Sequence, residues 1–136
     1  IDIKALAHWD VHIHVPEGAV PKEGPSAGIT LLTSLVSLFT QRNTKKNIAM
    51  TGELTLRGVV LPVGGVKEKI LAAKRRGINS IILCENNRKD VEDINEKYVA
   101  GLSFHYVKRA EQVIDFALED KQIKNPLQTN SPELLP

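Results

Sequence analysis

Apolar residues fall on alternate positions over residues 9–15. Trp9, Val11, Ile13 and Val15 lie on one side and Asp10, His12 and His14 on the other, the period of a half-buried strand. Residues 16–25 hold three prolines and two glycines and read as a loop. Over 26–40, Ile29, Leu32, Leu35, Val36 and Phe39 recur at helical spacing. The polar, basic stretch 41–47 predicts a surface connection. Residues 48–63 are rich in strand formers, broken at Thr51-Gly52-Glu53 and at Arg57-Gly58, which predicts short strands joined by a turn. Gly64-Gly65 releases the chain into a helix over 66–76, and Gly77 is placed to end it as a left-handed cap. A buried strand over 78–83, a charged helix over 87–95, a strand over 102–107 and an amphipathic helix over 109–119 follow. From 121 the chain is polar with Pro126, Pro132 and Pro136, and is expected to fray. Strands alternating with helices define the α/β class, with a mixed sheet because of the hairpin.

Bulk properties narrow the function without choosing it. A length of 136 residues with 42% apolar content suits one domain with a real core. A net charge of +2 argues against a nucleic-acid or membrane surface, and the basic clusters Lys74-Arg75-Arg76, Arg88-Lys89 and Lys108-Arg109 are short and scattered. One cysteine, Cys84, excludes an internal disulfide framework and fits a reducing compartment. No apolar run reaches transmembrane length and no signal peptide opens the chain. The first residue is Ile1, so the sequence reads as part of a longer protein. It holds no phosphate-binding glycine loop, and ATP chemistry would have to lie outside it.

Ser26 is the leading candidate for chemistry. It stands where the Gly/Pro-rich loop meets the first helix, so it is either the helix cap or a nucleophile beside N–H groups able to hold an oxyanion. A serine needs a base. Asp10, His12 and His14 are near in sequence, but no spacing brings an imidazole to Ser26, and the two histidines lack a third metal ligand. A lysine can serve if burial keeps it neutral. Lys67 and Lys69 are both available, and Lys69 shares its helical face with Val66, Ala72 and Ala73, which favours it mildly as the more enclosed amine. Either could equally be a surface lysine, and Thr51-Gly52-Glu53 could be ordinary turn chemistry.

Four motifs taken in order remove much of that ambiguity. They are Pro16-Glu17-Gly18-Ala19, Pro21-Lys22-Glu23-Gly24-Pro25-Ser26-Ala27-Gly28, Met50-Thr51-Gly52-Glu53-Leu54-Thr55-Leu56-Arg57-Gly58 and Leu61-Pro62-Val63-Gly64-Gly65-Val66-Lys67-Glu68-Lys69. Together they resemble the proteolytic domain of the A-type ATP-dependent Lon proteases, from about residue 9 to 118. The resemblance implies a serine endopeptidase of protein quality control, with Ser26 and Lys69 as its catalytic dyad and Thr51 bonded to the lysine amine. It implies supporting places for Glu23, Glu53 and His14. Gly24, Pro25 and Ala27 are expected at the oxyanion site or in a peptide groove along the strand and loop over 14–23. Glu23 departs from the family's usual aspartate, which leaves any fine positioning role open.

The resemblance further implies no metal or cofactor in this domain, with ATP and Mg belonging to a module outside it. Unfolded or tagged proteins are the implied substrates, the full-length protein is implied to be a homohexamer, and DNA association would not run through these residues. The bacterial cytoplasm is the implied location, with a mitochondrial matrix or peroxisome as alternatives. The protease domain is expected over 1–120 without its N-terminal part, followed by a disordered tail over 121–136. A non-catalytic Lon-like scaffold and a DNA-associated module are the rival readings.

Overall fold

The computed structural model describes residues 6–14, 16 and 25–126. Its centre is a parallel sheet of three strands in the order β2 (Ile48–Thr51), β5 (Ser80–Cys84), β6 (Ser103–Val107). Strand β5 is the middle one, and its run Ile81-Ile82-Leu83-Cys84 is buried throughout. A strand covered on both faces needs such continuous apolar sequence.

Alternation along β5 divides the core in two. Ile82 and Cys84 join Ile29 of α1 (Gly28–Thr40) and Val113 and Ala117 of α5 (Ala110–Ala117) on one face. Ile81 and Leu83 join Val66, Ile70 and Ala73 of α2 (Val66–Arg75) on the other, with Val91 of α3 (Arg88–Glu92) and the nearby Ile94. The short α4 (Glu96–Val99) follows, capped by the Asn95 side chain, which accepts from the Lys97 N–H. The α/β class is therefore what the alternation of elements implied. Parallel pairing makes the central sheet, and antiparallel pairing makes the hairpin of β3 (Glu53–Leu54) and β4 (Val60–Leu61).

Helix α2 matches the expected bounds closely. Gly65 precedes it in the left-handed region at φ 65°, and Gly77 follows it at φ 76°, conformations that cost a residue with a Cβ about 1–2 kcal/mol.

Four expectations are corrected. Residues 9–14 form no strand, and Val11 and Ile13 are 45% and 52% exposed. A strand needs a partner for its backbone groups and a cover for its apolar side, and no described strand pairs with this segment; Trp9 instead sets its ring edge-on to Phe39 at 6.5 Å. Residue 15 lies outside the described residues. The expected surface connection contains β1 (Arg42–Thr44), which pairs antiparallel with β7 (Leu118–Gln122). The polar sequence at 121 thus still holds strand pairing, because Leu118 is fully buried and anchors its first residue. The helix expected over 87–95 is broken into a 3-10 turn at Glu85–Asn87 and the short α3.

Candidate active site

Ser26 lies in a 3-10 turn, Pro25–Ala27, that leads into α1. Ala27 is the N-cap of α1, and no side chain caps it. The capping role open to Ser26 is thus not the one it plays. Its position is set by a backbone clamp instead. The Gly52 N–H donates to the Ser26 carbonyl at 3.0 Å, and the Ile29 N–H donates to the Gly52 carbonyl at 3.2 Å. The Ile29 amide is thereby committed and is unavailable to an oxyanion.

Two glycines allow this approach. A Cβ on Gly28 would meet Leu54 N at 3.0 Å, and one on Gly52 would meet Ile29 Cδ1 and Val60 Cγ1, each at 3.1 Å. The clamp thus fixes the serine turn to the C-terminal end of β2. Ligand sites in parallel α/β sheets commonly lie beyond that end of the strands.

Thr51 is the last residue of β2 and is 7% exposed. Its hydroxyl donates to the Ser26 carbonyl at 3.4 Å and accepts from Lys69 Nζ at 3.3 Å. One buried hydroxyl therefore bridges the serine turn and the lysine. Val66, Ile70 and Ala73 are buried in the core, and this burial orients α2 so that Lys69 faces Thr51. Among the described residues, no hydrogen bond joins the Ser26 and Lys69 side chains directly. Catalytic bonds are commonly longer before substrate binds.

Two clefts meet at this pair. One, of about 360 Å³, is largely apolar and is lined by Ala27, Met50, Thr51, Ile70, Ala72 and Ala73 among others. The second, of about 530 Å³, is lined by Pro25, Glu53, Pro62, Val63, Gly64 and Gly65. Among the described residues, Ser26 and Lys69 are the two common to both linings. Ala27 thus lines the first cleft, and Pro25 and Glu53 line the second.

His12 and His14 are exposed and line neither cleft. Glu23 and Gly24, with the loop expected to line the groove, lie outside the described residues. Lys67 is exposed and lines neither of these clefts. Lys69 is also exposed among the described residues; what sets it apart from Lys67 is the bond of its Nζ to the Thr51 hydroxyl. No group of three or more His, Cys, Asp or Glu able to hold a metal ion occurs among the described residues.

Sequence reasoning missed Asn87. It is 2% exposed, and its side chain makes three hydrogen bonds. Two of these reach Val63, 24 residues away, so no local spacing could have flagged it.

A parallel α/β core with a clamped serine turn, a buried threonine and a lysine between two clefts is an arrangement suited to acyl transfer. Comparison with known proteins fixes the family. Residues 1–120 match the model of the Lon protease (S16) C-terminal proteolytic domain, and the chain belongs to that family. It is 62% identical over 127 residues to the Lon protease of Parabacteroides distasonis and 61% identical over 123 residues to that of Flavobacterium johnsoniae. These alignments cover 93% and 90% of the chain and 15% of each relative. It is also 58% identical over 118 residues to Lon protease homolog 2, peroxisomal, of Oryza sativa subsp. indica, covering 87% of the chain and 13% of that protein. The chain thus spans about 15% of the length of the curated bacterial relatives.

Proposed function

We propose that this chain supplies the peptide-cleaving step of an ATP-dependent serine endopeptidase, with Ser26 as nucleophile and Lys69 as its base. The observation that carries the reading is that, among the described residues, Ser26 and Lys69 are the two shared by the linings of the two clefts, with Thr51 bridging them.

Neutral Lys69 takes the proton of Ser26 Oγ, and the oxygen attacks the substrate's carbonyl carbon. The carbon–nitrogen bond then breaks as Lys69 returns that proton to the leaving amine, leaving an ester on Ser26. Water attacks the ester, passing a proton to Lys69, and the acid leaves as Ser26 regains its hydrogen. Backbone N–H groups of the serine turn, excluding the committed Ile29 amide, are the candidates for holding the oxyanion, at about 3–4 kcal/mol per donor. Thr51 orients the amine.

Unfolded or tagged proteins are the substrates this reading assigns, entering a homohexamer whose ATP and Mg are held by a module outside these residues. A bacterial cytoplasm suits the single buried thiol of Cys84.

Peptide hydrolysis by the full-length assembly tests the roles. Ser26→Ala and Lys69→Ala abolish turnover, while Lys67→Ala keeps most of it. Thr51→Val keeps the shape and removes the bridging hydroxyl, lowering kcat by about 2- to 10-fold, the net worth of one hydrogen bond. A dead Lys67→Ala with an active Lys69→Ala would overturn the choice of base.

A further inference from the structure

Asn87 ends the 3-10 turn that follows β5 and is 2% exposed. Its Oδ1 accepts from the Val63 N–H at 3.0 Å, and its Nδ2 donates to the Val63 carbonyl at 2.9 Å and to Asp90 Oδ2 at 2.7 Å. The amide pairs with Val63 as a neighbouring strand would, and Asp90 fixes its rotation.

The segment held this way needs an outside tie. Pro62 has no N–H, nothing lies within 4 Å of a Cβ built on Gly64, and Gly65 is left-handed. Two adjacent glycines lose more conformational freedom on ordering than any other pair. Val63 is the residue between them and β4 with both backbone groups free to bond, and Asn87 bonds both. This same segment, Pro62 to Gly65, walls the second cleft beside Ser26 and Lys69. Helix α2, by contrast, is anchored independently through Val66, Ile70 and Ala73, which are 4%, 1% and 7% exposed.

We propose that Asn87 is a positioning residue for peptide cleavage: it holds the Pro62–Gly65 wall in the shape that receives the substrate chain. The proposal rests on the reading of Ser26 as nucleophile. Because the core secures Lys69 without Asn87, loss of the amide falls on substrate binding and leaves the chemical step in place.

The test is steady-state hydrolysis of a fluorogenic peptide by the full-length protein carrying Asn87→Ala, Asp90→Ala or Ser26→Ala, with circular dichroism and hydrodynamic size checking the fold. Asn87→Ala is expected to raise KM by about 5- to 30-fold with kcat within about 2-fold of wild type, the loss of one to two net hydrogen bonds. Asp90 is exposed, so Asp90→Ala keeps the fold and raises KM by about 2- to 3-fold. A residue that merely stabilised the fold would lower the active fraction, so kcat would fall while KM stayed fixed; that result overturns the proposal. If Asn87→Ala does not fold, Asp90→Ala decides alone, and an unchanged KM overturns the proposal. A dead Ser26→Ala with an unaltered KM in the other two variants defeats this inference alone, whereas an active Ser26→Ala defeats the reading beneath it as well.

Discussion

Replacing Gly52 with alanine strikes the clamp that fixes the serine turn. The new Cβ would lie 3.1 Å from Ile29 Cδ1, 3.1 Å from Val60 Cγ1 and 3.4 Å from Ile29 Cγ2. Ile29 and Val60 are 0% and 3% exposed, so neither can swing into solvent. Gly52 is not among the residues with positive φ, which makes the penalty one of packing rather than backbone strain. Overpacking of this kind costs about 1–3 kcal/mol. Relief requires the Gly52 backbone to retreat by a few tenths of an ångström, and its N–H and carbonyl hold Ser26 and Ile29. The serine therefore moves with it. A displacement of about 1 Å at a reacting group costs about 100-fold, so a shift of this size lowers kcat by roughly 3- to 10-fold.

Hydrogen exchange on the full-length protein reads the stability side. The Ile29 amide is expected to exchange about 5- to 150-fold faster, the equivalent of that packing cost. Adding Ile29→Val removes the Cδ1 methyl from the contact. Alone that change costs about 0.5–1.5 kcal/mol, yet the double variant should exchange more slowly and turn over faster than the two single effects combined predict. Strict additivity, or Gly52→Ala with wild-type kcat, would refute the argument that close packing at Gly52 places Ser26.

Two further outcomes follow from the fold. Leu118→Ala leaves a cavity at a fully buried site and should cost about 2–5 kcal/mol; hydrogen exchange should show lost protection first along the Arg42–Thr44 pairing with Leu118–Gln122, and unchanged protection there would count against β7 as an anchored strand. Burial raises the Tyr106 phenol above its ordinary 10.0, opposed by the Arg88 guanidinium and aided by Glu92, with Arg88 lying 4.0 Å over the ring. Folding thus favours the neutral phenol, a contribution present below about pH 10 and lost as pH rises through the folded value. Arg88→Met keeps apolar cover and removes the opposing charge, so the Tyr106 ring-carbon shift in tyrosine-labelled protein should titrate at still higher pH; titration at lower pH would contradict that account.

The sequence by itself determined the features that local spacing encodes. Helical periodicity located α1, Gly64-Gly65 and Gly77 marked the start and end of α2, and a short apolar run located β5, because each depends on neighbours a few residues away. Motif order also brought Ser26, Thr51 and Lys69 forward as a set. The tertiary structure decided what depends on distant partners. The alternation over residues 9–15 had a strand's pattern but no described strand to pair with, while the polar 118–122 became a strand because Arg42–Thr44 offered one. Thr51 links Ser26 and Lys69 only because parallel pairing sets β2 beside β5 and core burial turns α2 toward it. Asn87 looked like one more polar residue on a charged helix until folding set its amide against Val63. Hydrogen bonds between groups 24 residues apart leave no periodic trace in the chain, so their partners are chosen by the fold and not by local sequence.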